Sequence, residues 1–223
     1  MAMDEQRAWG ALDVVAHRQH GLKTLEARWI HAGSLPAALI ESVAPSPAEI
    51  EIREDCYLVA PLLQQIGVKF RGAVQLDLKV FGGSPGNLQL AGGTCGGLEI
   101  WRKWTVPVGA DSGHPRGADR GWVTVQKLRR KRSFGVVDGG VVERPIRGAG
   151  APGCTVELTE VLVGDSVWWT IGFEAGGNEA FLERDLRATA AFVLRPPLPA
   201  GLQLRRRFSM SYVEWLRSMS QGS

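Results

Sequence analysis

Lys69, Arg71 and Lys79 lie at odd positions of the stretch VKFRGAVQLDLKV, residues 68–80, together with Gln75 and Asp77. Val68, Phe70, Val74, Leu76, Leu78 and Val80 fill the even positions. A period of two is that of a β-strand, and Gly72-Ala73 between the halves marks a turn or a bulge. Three cations on one face suit phosphate oxygens, which guanidinium and ammonium groups bind by charge-assisted hydrogen bonds. The same pattern also fits a half-buried strand whose charged face meets water.

Charged faces of this kind recur along the chain. Thr24, Glu26 and Arg28 alternate with Leu25, Ala27 and Trp29, and Glu49, Glu51, Arg53, Asp55 and Tyr57 alternate with Ile50, Ile52, Glu54 and Cys56. Glu99, Trp101, Lys103 and Thr105 share a face, as do Lys127, Arg129 and Lys131. In the hairpin formed by 155–163 and 167–175, Glu157 and Thr159 share one face, and Trp168, Thr170 and Glu174 another.

The elements that must position these residues are mostly strands. The chain has 223 residues, 28 of them glycine and 12 proline, which predicts many turns. With 44% hydrophobic residues it can bury a core, and its length suits a single domain with a core at about 22–194 and a C-terminal extension, 195–223. A net charge of +3 is too small to imply nucleic acid by itself. Cys56, Cys95 and Cys154 have no paired spacing, which predicts no disulfide framework and a reducing compartment. No run reads as a signal peptide or membrane span, so the expected location is the cytoplasm, with no membrane partner.

A weak amphipathic pattern at 1–20 (Trp9, Leu12, Val15, Ala16) predicts a short helix. Ser34 is the expected N-cap of a second, and Asn178 that of a third, whose buried stripe holds Phe181, Leu182, Asp185, Leu186, Thr189, Ala190 and Val193. Residues 82–97 read as a glycine-rich loop, without the lysine that a phosphate loop requires. Asp138-Gly139 predicts a tight turn. Residues 209–219 predict a closing helix packed through Tyr212, Trp215 and Leu216.

Roughly eight strands with polar and apolar faces can form an open sheet with a solvated side. They can also close into a barrel whose interior is polar and whose apolar faces pack outward on helices. The fold class expected is α+β, mainly antiparallel β: an eight-stranded tunnel-like barrel with flanking helices. A lumen holding Lys69, Arg71, Lys79, Lys103, Lys127 and Arg129 needs counter-charge, from acidic side chains or from a bound polyanion. Glu26, Glu49, Glu51, Glu157 and Glu174 supply carboxylates that could hold Mg2+ or Mn2+ against phosphate oxygens.

The hairpin VKFRG…LDLKV, the strand VQKLRR and above all VELTEVLVGDSVWWTIGFEA resemble the CYTH, or triphosphate tunnel metalloenzyme, superfamily. The resemblance runs from about 22 to 194. It implies an eight-stranded antiparallel tunnel that hydrolyses or cyclises triphosphate-bearing substrates with a divalent metal. It implies phosphate-binding roles for Lys69, Arg71, Lys79, Lys127 and Arg129, and metal-side roles for Glu157 and Glu174. The family's first strand reads ExExK; this chain keeps Glu26 but has Arg28 and Ile30 where the second acid and the lysine belong.

The leading expectation is a CYTH-like tunnel that binds a polyanionic small molecule (triphosphate, nucleotide or polyphosphate), with metal-dependent triphosphate hydrolysis left open. The alternatives are a non-catalytic interaction module with a degenerate tunnel, and RNA or polyphosphate binding by residues 127–132 on the outside.

Overall fold

The computed structural model describes residues 21–108, 121–148, 150–195, 198–199 and 202–221. The helix expected at 1–20 lies outside the described residues. The strands are β1 Leu22–Ala32, β2 Glu49–Leu58, β3 Ile66–Arg71, β4 Gln75–Gln89, β5 Cys95–Pro107, β6 Trp122–Val137, β7 Gly140–Arg144, β8 Gly153–Val163 and β9 Ser166–Gly176. The helices are α1 Ala37–Val43, α2 Leu182–Val193 and α3 Tyr212–Gln221.

Eight strands form one antiparallel barrel in the order β2-β3-β4-β5-β1-β9-β8-β6, and β6 pairs back onto β2 to close it. The closing seam is long, running in register from Glu49 opposite Lys131 to Leu58 opposite Trp122. Past that seam β6 pairs with β7 through the Asp138-Gly139 turn, where both residues have positive φ, 48° and 78°. That backbone suits a two-residue hairpin whose twist matches its strands.

Alternation divides the side chains between two environments. Leu25, Ala27 and Trp29 of β1, Val156 and Leu158 of β8, and Ile171 and Phe173 of β9 point out of the barrel and are buried. They join one core with Leu39 and Val43 of α1 and Leu182, Leu186, Ala190 and Val193 of α2. Each valine, leucine, isoleucine or phenylalanine among them contributes about 1.5–3 kcal/mol on burial. The main hydrophobic core therefore lies outside the barrel wall, and the lumen is left for polar groups.

One end of the lumen is apolar. Ile30, Tyr57, Val125 and Val161 meet Trp215 and Leu216 of α3 there, in a second core. The amphipathic pattern expected at 209–219 thus packs as read, through Trp215 and Leu216, each 2% exposed.

Three local expectations are corrected. Residues 82–97 are mostly strand: β4 runs on to Gln89, and glycines at 83 and 86 accompany register shifts against β5. Bulges let a glycine-rich segment keep pairing while it bends. The first described helix follows Pro36 and has no side-chain cap, so Ser34 is not its N-cap. Proline's fixed φ suits a helix start without one. Phe181 is 45% exposed, because Asn178 caps a short 3-10 turn, Glu179–Phe181, that ends before α2 begins. The other six residues of the stripe are buried. Among the described residues, no helix is long and apolar enough to cross a membrane.

Candidate functional site in the barrel lumen

The closed sheet brings the charged faces of β1 to β6, β8 and β9 together inside it. Lys69, Arg71, Lys79, Lys103, Lys127 and Arg129 all converge there, and each meets a lumen carboxylate. Asp55 is the deepest anion, fully shielded from solvent. Its Oδ2 accepts from Lys127 Nζ at 2.7 Å, Lys69 Nζ at 3.0 Å and Arg53 Nη2 at 3.3 Å. Lys127 also donates to the Tyr57 hydroxyl at 2.6 Å.

Two further clusters line the wall. Glu26 accepts from Lys79 at 2.5 Å and lies 3.4 Å from Lys103, which pairs with Glu174 at 2.5 Å. Glu157 accepts from Arg129 Nε at 3.0 Å and again from its Nη2, and from Arg28 Nη1 at 3.4 Å. Arg129 reaches on to Glu51 at 2.6 Å, which also meets Lys131 at 2.9 Å. Near the rim Arg71 donates to Asp77 at 2.6 Å.

The electrostatics follow from burial and pairing. Burial alone would raise the carboxyls of Glu26, Asp55 and Glu157. The cations beside them (Lys79 and Lys103, Lys69 and Lys127, Arg129 and Arg28) outweigh it and hold all three well below the carboxylate range. Among the bases, burial lowers Lys69 to about 8, with Asp55 pulling the other way. It pushes Lys127 well below the lysine range. Lys103 rises, because Glu174 and Glu26 together outweigh its desolvation. Glu99 differs from the other carboxylates: burial raises it, and it accepts a hydrogen bond from Trp101 Nε1 at 2.9 Å.

The basic run 127–132 does not form one cationic surface. Its odd members face the lumen. Arg130 and Arg132 point outward and are paired with Glu160 and Glu143 at 2.8 and 2.6 Å. The period of two splits the run between the two sides of the wall.

Sequence reasoning did not single out Arg28, Arg53, Asp55, Asp77, Glu99 or Tyr212 as site residues. All but Tyr212 were on the faces identified by alternation, and Arg28 was noted there only as a departure from ExExK. Tyr212 arrives from α3. Its ring lies 4.2 Å from Lys127 Nζ and 4.8 Å from the Arg28 guanidinium, and stacks on Tyr57. No strand periodicity could have placed it there.

Glu26, Glu157 and Glu174, the acids expected to hold Mg2+ or Mn2+, are each committed to lysine or arginine partners. Among the described residues no group of three or more His, Cys, Asp or Glu side chains is placed to hold a metal ion. The donors as arranged do not fit a shared divalent ion, since a cation stands against each carboxylate. A cavity of about 320 Å³ lies outside the barrel, lined by His31, Trp169, Phe208, Leu39 and Pro199. Burial lowers the His31 imidazole, which stacks on Trp169. That cavity shares no residue with the lumen clusters.

No family model and no curated protein matches the chain. Solved structures do. A Pyrococcus horikoshii OT3 protein aligns with a TM-score of 0.42 and 15% identity, over 87% of this chain and 99% of that one. An adenylyl cyclase-like protein from Hippeastrum, described as having a dominant triphosphatase activity, aligns with a TM-score of 0.38 and 12% identity, over 81% and 92%. The RNA triphosphatase of S. pombe aligns with a TM-score of 0.36 and 11% identity, over 82% and 84%. Each of these likenesses is partial, with identities of 11–15% and TM-scores of 0.36–0.42.

Proposed function

We propose that the lumen binds a phosphate-rich small anion of the triphosphate type, and that it does so by exchanging ion pairs. The observation that carries this reading is the convergence of Lys69, Arg71, Lys79, Lys103 and Arg129 on one enclosed space, each against a carboxylate. Solvent access is graded. The Arg71 side chain is 40% exposed and that of Lys127 2%, so the ligand enters past Arg71 and Lys79 and stops short of the Lys127–Asp55 pair. Phosphate oxygens then replace Asp77 at Arg71 and Glu26 at Lys79, trading one set of charge-assisted hydrogen bonds for another.

A second reading is favoured by the same pairing. Cations and carboxylates nearly balance inside the barrel, so the lumen is also self-sufficient as the filled interior of a non-catalytic interaction module. Hydrolysis of triphosphate would require a carboxylate free to act; Glu99, raised by burial, is the one best suited to accept that role.

Thermal denaturation with inorganic triphosphate, pyrophosphate and ATP separates the two readings. Binding at 100 times Kd stabilises the folded state by about 2.7 kcal/mol. Arg71→Glu should suppress the shift, and Arg205→Gln, on the exposed outer surface, should leave it intact. No shift with any of the three anions would favour the filled interior. Release of inorganic phosphate in the same samples tests hydrolysis.

A further inference from the structure

Arg28 stands in the lumen within reach of the charges of Glu157 and Glu26. Its Nη1 donates to Thr170 Oγ1 at 3.0 Å and to Glu157 Oε1 at 3.4 Å, and its guanidinium lies over the Tyr212 ring. Glu26, two residues earlier on the same face of β1, also interacts with its charge. The space for the group is built into the neighbouring strand. Gly172 of β9 is the register partner of Arg28, and a Cβ there would lie 2.8 Å from the guanidinium carbon. No positive φ requires glycine at 172; a side chain there would make the guanidinium shift from its seat.

We propose that Arg28, seated against Gly172, takes the place of a divalent ion in this lumen, so that the site takes up the free triphosphate anion and not its metal complex. The inference rests on the lumen-binding reading above. A fixed, always-charged guanidinium between Glu26 and Glu157 supplies the positive charge that a metal would otherwise bring to phosphate oxygens. It also repels such an ion, because two cations a few ångströms apart in a poorly hydrated space oppose each other strongly. Lys79, Lys103 and Arg129 hold the remaining carboxylate oxygens, leaving no open set of ligands. A metal-complexed triphosphate would present masked oxygens and a second cation to Arg28.

The test uses the full chain and inorganic triphosphate, read by thermal shift in EDTA and again with excess Mg2+, with binding of Mn2+ alone followed by electron paramagnetic resonance. The expected result is a full shift in EDTA, a smaller one in Mg2+, and no stoichiometric Mn2+ binding. Gly172→Ala, which displaces the guanidinium, should weaken triphosphate binding roughly tenfold or more. Arg28→Glu should lose the shift in EDTA and be stabilised by Mn2+ alone; should that variant not fold, the wild-type measurements still decide. A wild-type shift that appears only with Mg2+, or tight Mn2+ binding by the wild type, would overturn the inference and leave lumen binding standing. No shift under either condition would overturn both.

Discussion

Lys127 donates to Asp55 at 2.7 Å in a part of the lumen where Asp55 is 0% and Lys127 4% exposed. The carboxylate serves three cations at once, Lys127, Lys69 and Arg53. In water such pairs contribute little, but here removal of the shared anion leaves buried charges without compensation.

Asp55→Asn is therefore expected to destabilise the protein by about 3–5 kcal/mol, a large share of the total stability of an ordinary domain. The midpoint of urea unfolding measures it. A loss below about 1 kcal/mol would mean that Tyr57 or water compensates Lys127 without Asp55.

Acid should unfold the protein steeply. Glu26, Glu51, Asp55 and Glu157 all sit below their usual values of 4.5 or 3.8 in the folded state. Depressed folded-state values mean that the unfolded chain binds protons first. The contribution of these groups is complete above about pH 5 and is lost as the pH falls through the unfolded values towards the folded ones. The melting temperature should hold between pH 6 and 5 and fall sharply below about 4.5. A flat profile down to pH 3 would contradict the lumen pairing.

Lys69 titrates near 8, with opposite consequences for the free and the liganded protein. Because the folded lysine gives up its proton before the unfolded one, the free protein gains stability from this group as pH rises from about 8 to 10.5. A bound polyanion favours the charged lysine, so triphosphate binding should weaken over the same rise. Binding measured by calorimetry at pH 7 and 9 checks this, and Lys69→Arg should flatten the dependence. Equal affinities in the unsubstituted protein would remove Lys69 from the ligand contacts.

Trp215 fills the apolar end of the lumen, yet its buried indole N–H has no hydrogen-bond partner among the described residues. Trp215→Phe discards an unsatisfied donor and most of the bulk remains, so it should change stability by less than about 1.5 kcal/mol. Trp215→Ala should cost about 3–5 kcal/mol by opening a cavity between Trp168, Tyr212 and the barrel wall. Similar large losses in both variants would indicate that the N–H is satisfied in solution.

Much of the site can be read from a period of two. Because successive strand side chains alternate, the spacing of Lys69 with Arg71, of Lys127 with Arg129 and Lys131, and of Glu26 with Arg28 already set which groups would share a side of the wall. The glycine-rich stretch 82–97 resisted that reading because bulges break the alternation while pairing continues. Phe181 misled because a 3-10 turn shifts the angular position of a residue read as α-helical.

What the sequence determined by itself is a set of two-faced strands and the identity of the groups on each face, since backbone geometry alone enforces alternation. Tertiary structure decided which way the faces turned. Closure of β6 onto β2 enclosed the charged sides and sent the apolar sides out to α1 and α2. It also decided the partners: Asp55 meets Lys127 across 72 residues of chain and Arg28 meets Glu157 across 129. Tyr212 reaches both clusters from a helix no strand pattern contains. Ion pairing depends on distances of a few ångströms through space, and only the closed barrel sets those distances.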